Sequence, residues 1–115
     1  MYKERMEEFQ RALLDTNICD YTIDEFDGDT LVLKGSFDLA YYYEVKITFR
    51  EVDYINCPVY FDTDRIRLAS TEEREKYRVQ CQLEKEDLMI VFDQDVLNTF
   101  YFVICQDFEL SLIHI

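Results

Sequence analysis

The chain carries one histidine, His114, and four cysteines, Cys19, Cys57, Cys81 and Cys105. Catalytic bases and nucleophiles work in sets, and none of these residues has a set around it in the sequence. His114 lies one residue from the end of the chain, where positioning is commonly poor, and no Ser or Cys motif points to it. Ser36 and Ser111 stand in strand-like runs without the Gly-x-Ser-x-Gly turn that exposes a nucleophile. Ser70 opens Ser-Thr-Glu-Glu, which reads as a helix cap. The cysteines form no C-x-x-C pair, whereas zinc sites draw on closely spaced Cys and His. Reduced, buried structural thiols are expected instead. Two isolated glycines cannot build a loop that cradles phosphate. No catalytic residue, metal ligand or cofactor is therefore expected.

Carboxylates are the abundant chemistry. Asp and Glu number 25 against 12 Lys and Arg, a net charge of −13 on 115 residues. That balance excludes a nucleic-acid surface, which needs clustered cations. The 49% apolar share and the 18 Phe and Tyr exclude a disordered acidic tail. The densest acidic group is Asp20, Asp24, Glu25, Asp27 and Asp29, with Asp62 and Asp64 forming a smaller one. Neither matches a calcium loop, and Asp27-Gly28-Asp29 is explained by turn geometry alone.

Where the charge lies is more telling than its size. Residues 18–40 hold six acids against Lys34 alone, and the last 28 residues hold four acids and no Lys or Arg. If strands from these segments sit together, one sheet face is strongly negative and attracts a basic protein partner. Asp20, Asp24, Glu25, Asp27 and Asp29 would supply the field, and Tyr21 and Tyr42 the aromatic anchors. In general character the chain is similar to the immunity proteins that neutralise bacterial toxins. That resemblance rests on composition and implies a non-catalytic, immunity- or inhibitor-like binding protein. A second reading, from another class, is a small-molecule site or enzyme. There Tyr41, Tyr43, Phe49 and Tyr54 would line a pocket in a curved sheet, with Arg50, Arg65 or Arg67 at its mouth.

The elements that must position these groups follow from periodicity. Tyr2, Met6, Phe9 and Leu13 predict an amphipathic helix over 2–16, with Asn17 as its stop. Cys19, Tyr21 and Ile23 then alternate with polar residues up to the Asp27-Gly28 hairpin signal, and Leu31 to Phe37 return. A turn is expected at 38–40. The run Tyr41 to Tyr54 changes apolar phase at Glu51, as a β-bulge or strand bend does. A short edge strand is expected over 65–68, a capped helical turn over 71–76, and strands over 77–83, 88–92, 100–105 and 108–115. Phe100 to Cys105 reads as buried on both faces.

The expected fold is α+β over a single domain, residues 1–115. An N-terminal amphipathic helix packs on a curved, mostly antiparallel sheet of about six strands. The apolar run Leu110 to Ile115 is a candidate edge for a homo-oligomer. The longest uncharged stretch, Val96 to Gln106, is too short for a membrane helix of about 20 residues. With no apolar leader at the N-terminus, a cytoplasmic protein is expected.

Overall fold

Helix α1 covers Tyr2–Leu14, with Met6 and Phe9 buried and Glu7, Glu8 and Arg11 on the wet side. The computed structural model describes residues 2–14, 18–37, 40–96 and 98–114, with side chains except at 36–37, 40–44 and 112–114. The expected helix stop at Asn17 lies outside the described residues, as does the turn expected over 38–40 except for Ala40, which is in a strand.

The fold is α+β with antiparallel strands, but the described residues form nine strands divided into two sheets, where about six in one sheet were expected. They are β1 (Asp20–Phe26), β2 (Leu31–Phe37), β3 (Ala40–Arg50), β4 (Tyr54–Asn56), β5 (Tyr60–Asp62), β6 (Ile66–Leu68), β7 (Leu88–Asp93), β8 (Phe100–Cys105) and β9 (Asp107–His114). The first sheet runs β5-β1-β2-β3-β9 and the second β4-β8-β7-β6. The β1–β2 turn forms as Asp-Gly chemistry dictates. Asp27 Oδ1 accepts from the backbone N–H of Asp29 (3.0 Å) and Thr30 (2.8 Å), and Gly28 takes a φ of 95°.

The phase change at Glu51 explains why there are two sheets. Arg50 faces Asp107 and Tyr54 faces Ile104, so four steps along one strand oppose three along the other. Glu51 is the extra residue, at φ 53°. At this bulge one long ribbon, β3–β4 against β9–β8, passes from the first sheet into the second. The slip keeps apolar residues inward on both sides of the bend.

The main core fills the space between the sheets. Leu33, Ile47 and Phe49 of the first sheet meet Phe92 and Val103 of the second, and Met6 and Phe9 of α1 close it. The rings of Phe49 and Phe92 cross edge to face at 6.3 Å. Helix α1 reaches one edge strand of each sheet. Arg5 donates to the Phe108 carbonyl of β9 at 2.8 Å, and Gln10 to the Ile66 carbonyl of β6 at 2.7 Å. Covering both edges with one helix leaves fewer unpaired backbone groups open to strand addition.

Strand β8 is buried on both faces, as its apolar run requires. Val103 and Cys105 face the main core, while Phe102 and Ile104 face a second cluster with Met89 and Val91. Helix α2 (Thr71–Tyr77) covers that second face and begins with the expected capping box between Ser70 and Glu73. The expected strand over 77–83 does not form. Tyr77 ends α2, and the chain continues in tight turns, with Cys81 N–H donating to the Tyr77 carbonyl at 2.9 Å. Tyr77 and Cys81 are four apart, so their apolar spacing fits one helical face as well as alternate strand positions. Cys81 is therefore buried from a turn, not from a strand.

Candidate functional site

Strand β5 is the edge of the first sheet, and it sets Asp62 directly opposite Asp20 of β1. Like charges facing each other across a strand pair repel. A hydrogen bond with the Asp20 carboxyl, and then burial and the Asp20 charge, raise the Asp62 pKa. Two residues on, Asp64 follows the tight turn in which Thr63 is buried and donates to the Asp93 carbonyl at 2.7 Å. Gln94 then ties the loop after β7 to this edge, donating to the Asp62 carbonyl at 2.8 Å.

These connections shape an open groove of about 530 Å³ between β5 and the loop after β7. Asp62, Asp64, Asp93 and Asp95 line it, and no Lys or Arg does so among the described residues. Asp93 is already engaged. Arg67 forks onto it at 2.8 and 2.9 Å and onto Glu73 at 2.7 and 2.8 Å, tying α2 to the second sheet. Hydrogen bonds from Arg67 are the main reason the Glu73 pKa falls to about 2. Asp62, Asp64 and Asp95 remain as exposed carboxylates. Cys19 registers their field: burial first, and then Asp20, Asp62 and Asp64, push its thiol pKa up. Two apolar side chains border the same groove, Tyr60 at 59% and Val96 at 68% exposure.

Of the acids singled out in the sequence, Asp62 and Asp64 line this groove, and Asp20 meets it only through its pairing with Asp62. Asp24 pairs with Lys34 at 3.6 Å, Asp27 serves the hairpin turn, and Glu25 and Asp29 are exposed near that turn. Tyr21 is corrected outright as a surface anchor. It is 1% exposed, its ring lies over Gly35, and it stacks on Phe61 at 6.0 Å. Gly35 is what makes room, because a Cβ there would stand 2.6 Å from the ring. The Tyr42 side chain lies outside those described. Strand β3 separates β9, with Asp107 and Glu109, from β1 and β2, whereas Asp93 and Asp95 of the same C-terminal segment reach the groove beside β5.

The described members of the aromatic pocket expected from the sequence do not come together. Phe49 is fully buried in the main core, and Tyr54 stacks flat on Phe102 at 5.7 Å in the second cluster. Arg50 turns outward to Asp107 and Glu109, and Glu51 is exposed. The side chains of Tyr41 and Tyr43 lie outside those described. The groove residues missed in the sequence, Asp95 and Tyr60, carried no motif. The signal for Asp62 and Asp64 was their spacing of two in a stretch beginning with an apolar triplet, which places both on one side of an extended chain.

All four cysteines are free, and burial raises the pKa of each, to about 11 for Cys57 and about 12 for Cys105. Cys81 and Cys105 are buried, whereas Cys19 and Cys57 are half-buried where burial was expected for all four. Among the described residues no group of three or more His, Cys, Asp or Glu is placed to hold a metal ion. No described helix is long and apolar enough to cross a membrane. No protein-family model matches the chain, and no curated protein or solved structure is found similar to it.

Proposed function

We propose that this is a non-catalytic protein-binding domain whose groove between β5 and the loop after β7 takes a basic segment of a partner protein, in the manner of an immunity or inhibitor protein. The observation that carries the reading is a groove lined by Asp62, Asp64, Asp93 and Asp95 and, among the described residues, by no Lys or Arg, with Asp20 set opposite Asp62 on the next strand. An arrangement that repels itself in the free protein is relieved when a Lys or Arg enters. Tyr60 and Val96 add apolar area at the rim, where a partner can exclude water and anchor. The net charge of −13 steers such a partner from a distance.

Binding of basic proteins and of an Arg-rich peptide is measured while salt is titrated. The expected result is affinity that falls steeply from low to physiological ionic strength, mainly through a slower association rate. Affinity unmoved over that range, or no binding at low salt, would overturn the reading.

A further inference from the structure

A second cavity, of about 430 Å³, opens between the end of α1 and the turn that joins β5 to β6. Its walls include Leu13, Leu14, Ile18 and Ile66, and Tyr21 borders it from the sheet. Leu14 is left 78% exposed at this place, an unusual position for leucine on a helix whose other apolar residues pack. The volume falls within the range of small-molecule sites, which pair apolar walls with a few placed polar groups.

The polar group that matters is the Tyr21 hydroxyl. Tyr21 is 1% exposed, yet no hydrogen bond to its hydroxyl is found among the described residues. No fully enclosed polar side-chain atom among them lacks a partner, so this hydroxyl must reach open space. The cavity is the open space that Tyr21 borders. Burial pushes the phenol pKa up, so the group stays protonated and offers a hydrogen bond. In the open cavity water can serve this donor, and a ligand with an acceptor takes the place of that water.

Charge selects the ligand class. Asp64 and Arg65 stand together at the rim and offset one another, so the mouth has no net preference for either sign. An anion would face the neighbouring acidic groove, which shares Asp64 with this cavity. A cation is better served in that groove than against leucine and isoleucine. We infer that the cavity is a binding site for a neutral, largely aliphatic or aryl small molecule carrying one hydrogen-bond acceptor, which the Tyr21 hydroxyl recognises.

Four probes of one shape test this on the full chain: acetophenone, benzoate, benzylammonium and toluene, followed by methyl NMR shifts of Leu13, Ile18 and Ile66. Acetophenone is expected to give saturable shifts at these methyls, with an affinity about tenfold or more above benzoate and benzylammonium. Tyr21→Phe keeps the ring over Gly35 and is expected to weaken acetophenone about fivefold while leaving toluene within about twofold. Leu13→Phe fills the cavity from the helix side and is expected to abolish binding of both, which keeps the test decisive if the Tyr21 variant misfolds. No saturable shift with any probe, shifts centred elsewhere, tighter binding of a charged probe, or acetophenone affinity unchanged in Tyr21→Phe would overturn the inference.

Discussion

The two edges of the five-stranded sheet both carry outward-facing acids, and they treat them in opposite ways. On β9, Asp107 accepts from Tyr2 at 2.8 Å and from Arg5 and Arg50, each at 3.2 Å, while Arg50 also reaches Glu109 at 2.6 Å. Partial burial works to raise the Asp107 pKa, but the hydrogen bonds from Tyr2 and Arg50 and the charge of Arg5 leave it lowered. On β5, Asp62 faces Asp20, and its pKa is raised. A carboxylate that the fold has already neutralised has little left for a partner. Net charge therefore does not distinguish the two edges; whether their carboxylates have cations does.

The largest test removes the acidic edge altogether. Gly35→Ala forces a Cβ into the buried Tyr21 ring, which cannot retreat without unseating β1 from β2 and Phe61 of β5. A loss of about 3 kcal/mol is expected in urea unfolding, as for overpacking in a tight core. Next, Arg67→Met leaves Glu73 and Asp93 without their cation. About 2 kcal/mol of stability is expected to go, less than for a fully enclosed pair. The same change frees Asp93 into the groove, so a basic probe should bind more tightly to the folded variant. Weaker binding would mean that the groove does not act through charge.

The two edges should also answer pH in opposite senses. Asp107 has a lowered folded-state pKa, so its contribution is present above the unfolded value and lost as pH falls through the folded one. Asp107→Asn is expected to cost roughly 1 kcal/mol at neutral pH, with the gap to the parent closing in acid. Asp62 has a raised pKa, so the parent is relatively more stable below the unfolded value and loses that advantage as pH rises through the folded one. Asp62→Asn is expected to be slightly more stable than the parent at neutral pH and not in acid. Urea midpoints of both variants across pH 3–7 read this directly, and parallel curves would erase the distinction between the edges.

Much of the fold was legible because local periods and caps agree with tertiary packing. The i, i+4, i+7 spacing of Tyr2, Met6 and Phe9 marks α1, Asp27-Gly28 marks the hairpin, and Ser70-x-x-Glu73 marks α2. The phase slip at Glu51 marks the bend between the sheets, although not that a second sheet begins there. The residues 77–83 misled because spacing of four suits helix and strand alike. The site was less legible for a different reason. Whether an acid is paired depends on strand order, and β3, with Lys46 and Arg50, enters between β9 and the acidic β1–β2 segment only in the folded sheet. Tyr21 alternates with polar neighbours, but only Gly35 across the strand pair decides that its ring is buried.

The most direct test neutralises one edge at a time and measures binding of the same Arg-rich peptide at low salt. Asp20→Asn with Asp62→Asn is expected to weaken binding about tenfold, and Glu109→Gln on the opposite edge to leave it within about twofold. Equal losses at both edges, or a loss confined to Glu109→Gln, would show that the peptide responds to total charge or to the other edge, and would contradict the assignment of the groove at β5.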